Sequence, residues 1–140
     1  MWLQRSITIE PKKRGFHLIT EDIRLGLPEM KQIRAGLLHV FLQHTSASLT
    51  INENADASVR RDMDSWFARS VPDGSDYFEH TLEGPDDMTA HIKSSLLGVS
   101  LTIPVCSGEM ALGVWQGIYL GEHREHAGAR RVLLTLNGQT

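Results

Sequence analysis

Hydrophobic and polar residues alternate with a period of two over much of this chain and follow a helical period over two stretches. Ile7 and Ile9 alternate with Ser6 and Thr8, which predicts a half-buried strand over Trp2–Ile9. The basic turn Pro11-Lys12-Lys13-Arg14 leads to a second strand, Gly15–Thr20. Thr20, followed by Glu21 and Asp22, reads as a helix cap, and Pro28 divides Glu21–Arg34 into two short helical turns. Leu37–Gln43 reads as a central strand that is apolar on both faces. Leu38, Val40 and Leu42 share one face, Leu37 and Phe41 share the other with His39, and His44 falls on the Leu38 face where the strand ends. Ser48–Asn52 alternates again, with Leu49 and Ile51 on one side.

Val59, Met63, Trp66 and Phe67 follow helical spacing, so Ala55–Ser70 is expected to be a helix with Asn54 as its N-cap and Asp56 in its first turn. Val71–Pro85 is a long polar loop, of a length that often carries function. A second helix spans Asp86–Leu97, with Gly98 in the C-cap role. Strands are expected near Val99–Val105, Glu109–Leu112, Val114–His123 and Arg131–Asn137. Strands outnumber helices and come in antiparallel-looking runs, the pattern of an α+β fold rather than a doubly wound sheet.

Composition narrows the function classes. A chain of 140 residues with 41% hydrophobic and 22% charged residues is ordinary for one globular domain, taken here as residues 1–140. A net charge of −3 and a pI near 6.1 argue against non-specific binding to nucleic acid or to an anionic membrane. Residues Met1–Glu10 lack the apolar block of a signal peptide, and nothing resembles a bilayer span, so the expected setting is a reducing cytoplasm. The single cysteine, Cys106, cannot close an intrachain disulfide.

Seven histidines are many for this length. Helical spacing puts His91 on one face with Met88, Ile92 and Leu96 and sends Lys93 the other way. His44, His80 and His91 come from three different elements. Together they are the candidate metal ligands, for zinc or magnesium, and each could equally be a hydrogen-bonded core histidine. Glu53 and Asp56, where a strand meets a helix N-terminus, suit a metal-bridged phosphate or a helix cap, and with His91 they form the candidate catalytic set. Gly113 and Gly117 in a strand suggest close approach by a backbone or a ligand. Trp115 is a candidate stacking platform or subunit contact, Gln116 and Gly117 line the same candidate substrate site, and Arg124 and Lys93 are candidate phosphate clamps. No nucleophile elbow, P-loop or dinucleotide fingerprint is present.

Three stretches carry a family resemblance: Gln43-His44-Thr45-Ser46-Ala47-Ser48-Leu49-Thr50-Ile51-Asn52-Glu53-Asn54-Ala55-Asp56; His80–Met88 with Ala90-His91-Ile92-Lys93; and Ser100–Ile103 through Gly108 and Gly113 to Trp115-Gln116-Gly117-Ile118. The chain resembles the YjbQ family over essentially its whole length, departing at Thr89 and Val114, where many relatives carry proline and threonine. The resemblance implies an α+β fold with a mixed, mostly antiparallel sheet curled into a partly open barrel or sandwich with two main helices, assembled as a homotrimer. It also implies a secondary thiamine-phosphate synthase activity, in which a pyrimidine diphosphate joins a thiazole phosphate with loss of pyrophosphate. A metal-assisted phosphohydrolase and a non-catalytic trimeric binder of a small anionic metabolite are the competing expectations. In each case the partner is a small phosphorylated or anionic molecule.

Overall fold

The computed structural model describes residues 1–140. Eight strands form two sheets: β1 (Trp2–Ile9), β8 (Arg130–Gln139), β3 (Ala35–Leu42), β5 (Ser100–Cys106) and β6 (Glu109–Met110) in one, and β2 (Gly15–Leu18), β7 (Gln116–Glu122) and β4 (Ala47–Glu53) in the other. Every ladder is antiparallel. The strands curl into a half-barrel, the α+β architecture expected from the sequence.

Period-two alternation places Leu38, Val40 and Leu42 of β3, Val132, Leu134 and Leu136 of β8, and Ile103 and Val105 of β5 on the inner face of the larger sheet. They pack against Ala47 and Leu49 of β4 and Ile118 and Leu120 of β7. Each of the large side chains is essentially dry and contributes roughly 1.5–3 kcal/mol by leaving water. The other face of β3 is not core: Leu37 is 52% exposed and Phe41 is 39% exposed, so this strand is apolar on both faces but buried on only one.

Helix α1 (Thr20–Gly26) and a 3-10 turn (Pro28–Gln32) divide at Pro28 and add Ile23, Leu27 and Met30 to the core. Thr20 does not cap α1; its hydroxyl accepts a hydrogen bond from the Ile118 N–H and ties the helix to β7. Helix α2 (Ala57–Ser70) lies on β2, and α3 (Asp87–Leu97) lies on β4. The cap of α2 is Asp56, whose carboxylate accepts from the Ser58 N–H at 2.8 Å. Asn54, the expected cap, instead donates to the carbonyls of Val114 and Gln116 across the sheet edge. No residue of α2 is fully buried, and Trp66 is exposed; Phe67 meets Phe16 of β2 with ring centroids 6.0 Å apart.

Helix α3 reverses the simplest amphipathic reading. Its buried residues are Asp87, Thr89, Ala90, Lys93 and Ser94, while Leu96 on the expected core stripe is 65% exposed. Lys93 is therefore not directed away from the protein but lies beneath the helix at 2% exposure. Gly98 ends α3 at a φ of +97°, a conformation that favours a residue without a Cβ. No helix is long and apolar enough to cross a membrane.

Candidate functional site

Three side chains converge at the start of α3. Asp87 and His91 are one helical turn apart and so share a face. His80 reaches them from the loop between α2 and α3. The His80 Nε2 lies 2.7 Å from Asp87 Oδ2, the His91 Nε2 lies 3.1 Å from the same oxygen, and the ligating atoms all fall within 4.8 Å of one another. Asp87 is buried, His91 is half-buried and His80 is exposed, so the cluster opens to solvent on the His80 side.

Hydrogen bonds around the cluster decide which atoms are available. His91 Nδ1 lies 2.8 Å from the carbonyl of Thr45, which can only accept, so Nδ1 carries a proton. In the neutral ring, Nε2 then presents a lone pair to the Asp87 carboxylate, an arrangement satisfied by a second proton or by a cation. An imidazole whose far nitrogen donates to a backbone carbonyl is the usual orientation of a metal-binding histidine. Asp87 Oδ1 is occupied by Arg124 Nη1 at 2.6 Å, which leaves Oδ2 as the inward-facing ligand atom. Burial pushes the Asp87 carboxyl up, but the His80 hydrogen bond and the charges of His91 and Arg124 outweigh it and hold the group below the usual aspartate range.

Two nitrogens and one carboxylate oxygen are a donor set for a four-coordinate divalent cation with one position left open. Ligand atoms bonded at ~2.0–2.1 Å in a tetrahedral site stand about 3.3 Å apart. To admit an ion, the His80–Asp87 contact would open from 2.7 Å and the two imidazole nitrogens would draw together, a movement that the exposed His80 ring can supply. A cleft of about 820 Å³ adjoins it, with His91, Ser94, Ser95 and Gly98 on one wall and Phe41, Gln43, His44 and Thr45 on the other.

The remaining sequence candidates fall elsewhere. His44 lines the same cleft but stands outside the ligand cluster: its Nε2 accepts from the Arg131 N–H at 2.7 Å, and Arg130 Nη1 sits 3.3 Å from its Nδ1. Burial and the Arg130 charge both lower its pKa, favouring the neutral ring. The three-imidazole set expected from the sequence is thus replaced by two imidazoles and Asp87, a residue outside the expected ligand set. The Asp87–His91 spacing on one helix face was the signal available for it.

Arg124 is no free phosphate clamp: Nε binds Asp86 Oδ2 at 3.0 Å, Nη1 binds Asp87, and Nη2 binds the Glu83 carbonyl at 2.8 Å. Lys93 is no surface clamp either; its charge lies near the buried His123 ring and contributes to lowering that ring's pKa. Asp56 is spent as a cap, and the Glu53 carbonyl accepts from the Tyr119 hydroxyl. Trp115 sits in a turn before β7, 63% exposed, and therefore does not fill the core. Gln116 Oε1 accepts from the Gly113 N–H and closes that turn. A Cβ on Gly117 would lie 2.6 Å from Leu18 Cδ2 and 3.0 Å from Asn54 Cβ, so the close approach at this glycine is made by the chain's own side chains.

A half-barrel of antiparallel strands with a His–Asp–His cluster at the head of its third helix defines the structural class. The UPF0047 protein YjbQ-like family model matches residues 5–139, and the chain belongs to that family. The UPF0047 protein YjbQ of Escherichia coli is 55% identical over 139 residues, covering 99% of this chain and 100% of that protein. Among solved structures, a conserved hypothetical protein of Thermus thermophilus is similar at 31% identity and a TM-score of 0.83, covering 95% of this chain and 99% of its own. A YbjQ-like protein of unknown function from Sulfolobus solfataricus shares the fold at a TM-score of 0.86 and 20% identity, covering 99% of each chain.

Proposed function

We propose that this protein is a metal-assisted enzyme of small phosphorylated substrates, with a divalent cation held by His80 Nε2, Asp87 Oδ2 and His91 Nε2 beside the cleft. The observation that carries the reading is the committed Nδ1 of His91, which leaves the Nε2 lone pair facing Asp87 Oδ2, the carboxylate oxygen that Arg124 does not engage. Two imidazoles and one carboxylate oxygen favour zinc over magnesium, which prefers oxygen ligands. Bound there, the cation would polarise a phosphate oxygen or activate a water molecule. Asp87 and His91 supply the rigid part of the site, because both sit on one helix and His91 is anchored to the Thr45 carbonyl.

The joining reaction implied by the family resemblance is proposed as a secondary activity of this centre. In it the bond between the pyrimidine methylene and pyrophosphate breaks and a bond to the thiazole nitrogen forms. The departing pyrophosphate needs positive charge, and Arg124 and Arg130 are both engaged with carboxylates, so the cation at the cluster would supply it there. Metal-assisted hydrolysis of a phosphorylated substrate at the same centre is the competing reaction. The setting proposed with it is cytoplasmic, and the assembly is a homotrimer, whose mass sedimentation would measure.

The test follows pyrophosphate and thiamine phosphate together. Zinc-loaded wild type, given the pyrimidine diphosphate, is expected to release phosphate or pyrophosphate, with thiamine phosphate forming more slowly when the thiazole phosphate is added. His91→Ala is expected to lose at least about 100-fold of both rates, more than the loss of an outer-shell partner costs, while remaining folded by circular dichroism. Normal turnover by a folded His91→Ala protein would overturn the assignment. Absence of turnover by the wild type would favour the non-catalytic binder.

A further inference from the structure

Arg124 reaches both segments that bring the cation ligands together. Its Nη2 holds the Glu83 carbonyl, three residues beyond His80, and its Nε holds Asp86 next to Asp87. Its Nη1 lies 2.6 Å from Asp87 Oδ1, leaving Oδ2 to face the two imidazoles. Asp87 is almost dry at 2% side-chain exposure, so no bulk water competes with the guanidinium for Oδ1. A carboxylate held in this way binds a cation through one oxygen. If both oxygens were free, the same carboxylate could bind bidentately and raise the coordination number toward that of calcium or magnesium sites.

We propose that Arg124 is a positioning residue that restricts Asp87 to single-oxygen ligation and thereby selects a four-coordinate, zinc-type cation against oxygen-seeking ones. The inference rests on the cation reading of the His80–Asp87–His91 cluster and adds to it a determinant of which cation is held. Lysine at this position would keep one charge and one contact to Oδ1. It would lose the fork that joins Asp87, Asp86 and Glu83, because a single ammonium cannot span all three.

Metal binding to untagged protein, stripped by a chelator, provides the test. Zinc affinity is measured against a chromophoric chelator, cobalt(II) coordination from its visible absorption, and selectivity by competition with calcium and magnesium. Wild type is expected to bind one equivalent of zinc and to give the intense cobalt band of a four-coordinate site. In Arg124→Gln, zinc affinity falls roughly 10- to 100-fold and the cobalt band weakens as coordination expands, with Arg124→Lys intermediate. Asp86→Asn, which loosens the Nε anchor and the Glu125 N–H bond to the same carboxylate but leaves Arg124 on Asp87, is expected to show a smaller shift in the same direction and serves if Arg124→Gln does not fold. Unchanged affinity and an unchanged cobalt spectrum in the folded variants would overturn the role of Arg124 while leaving the cation site standing. A wild type that binds neither zinc nor cobalt would remove the cation reading and this inference with it.

Discussion

The three-stranded sheet separates two interiors of opposite character. On its barrel side Ala47, Leu49, Ile118 and Leu120 meet the leucines and valines of β3 and β8, and this interior is hydrocarbon except where the buried Glu122–Arg130 pair closes it at the end of β7. On its helix side Phe16 packs against Phe67 and against the edge of His123, while Ser48, His123 and Lys93 form a polar layer beneath α3. Ser48 Oγ is 2.8 Å from His123 Nε2, and both residues are buried. The apolar interior holds the strands together through area removed from water, which is tolerant of direction. The polar interior depends on directed bonds, and the candidate site grows out of its edge through Asp87 and His91 on the same helix. One half of the molecule is a scaffold, and the other spends buried polar groups on geometry.

The buried Glu122–Arg130 pair sharpens that contrast most strongly. Arg130 Nη2 binds Glu122 Oε2 at 2.6 Å and also holds Ser46 through its carbonyl and hydroxyl, next to the Thr45 carbonyl that orients His91. Arg130→Met is expected to cost about 3–5 kcal/mol in denaturant unfolding, because Glu122 loses its only ion-pair partner at 0% exposure and keeps just the Arg124 N–H. Adding Glu122→Leu should recover most of that stability. Zinc affinity should stay low in the double variant, since the tether to the 44–46 loop remains lost. Recovery of both quantities together would erase the distinction between scaffold and site.

How far the sequence foretold each half follows from the same contrast. The strands of the apolar interior were legible because alternation and burial coincide: Leu38, Val40 and Leu42 are apolar and dry, as the period-two pattern requires. Helix α3 misled because the periodicity test equates buried with apolar, whereas this helix buries Asp87, Lys93 and Ser94 and exposes Leu96. His80 and His91 could be picked out by residue type. The helical spacing of Asp87 and His91 was a signal for Asp87, but the exclusion of His44 was not legible, since it depends on Arg131 and Arg130, far along the chain, occupying the His44 ring. The cap of α2 moved from Asn54 to Asp56 for a similar reason, as the amide of Asn54 is drawn to carbonyls near Trp115.

Acid should separate the two interiors by their pH response. Burial, reinforced by the charges of Lys93, Arg14 and Arg130, pushes the His123 pKa from 6.5 down to about 3. The unfolded chain therefore takes up a proton near pH 6.5 that the folded chain refuses until about pH 3, so stability is full above 6.5 and falls as pH drops through this window. Aspartates held below their ordinary value of 3.8, such as Asp73 and Asp87, add their own loss only at lower pH. Between pH 6.5 and about 4 the expected decline approaches 1 kcal/mol per pH unit, read as a shift in the urea midpoint. His123→Gln, which can keep a bond to Ser48, should flatten that slope. An equally steep slope in the variant would place the acid sensitivity outside the helix-side layer.

The smallest expected change comes from a residue that belongs to neither interior. Trp115 stands in the turn before β7, 63% exposed, and the turn itself is closed by the Gln116 side chain on the Gly113 N–H rather than by the indole. Removing a largely solvated ring forfeits little buried area, so Trp115→Ala should alter the unfolding free energy of the isolated chain by no more than about 0.5 kcal/mol. If the indole is a stacking platform or a subunit contact, its loss should instead appear as weaker substrate binding or as a lower assembled mass at equal stability. Those two readouts differ in concentration dependence. Dilution dissociates an assembly and leaves a stacking defect unchanged, so titration of both proteins over a wide concentration range decides which role the exposed ring serves.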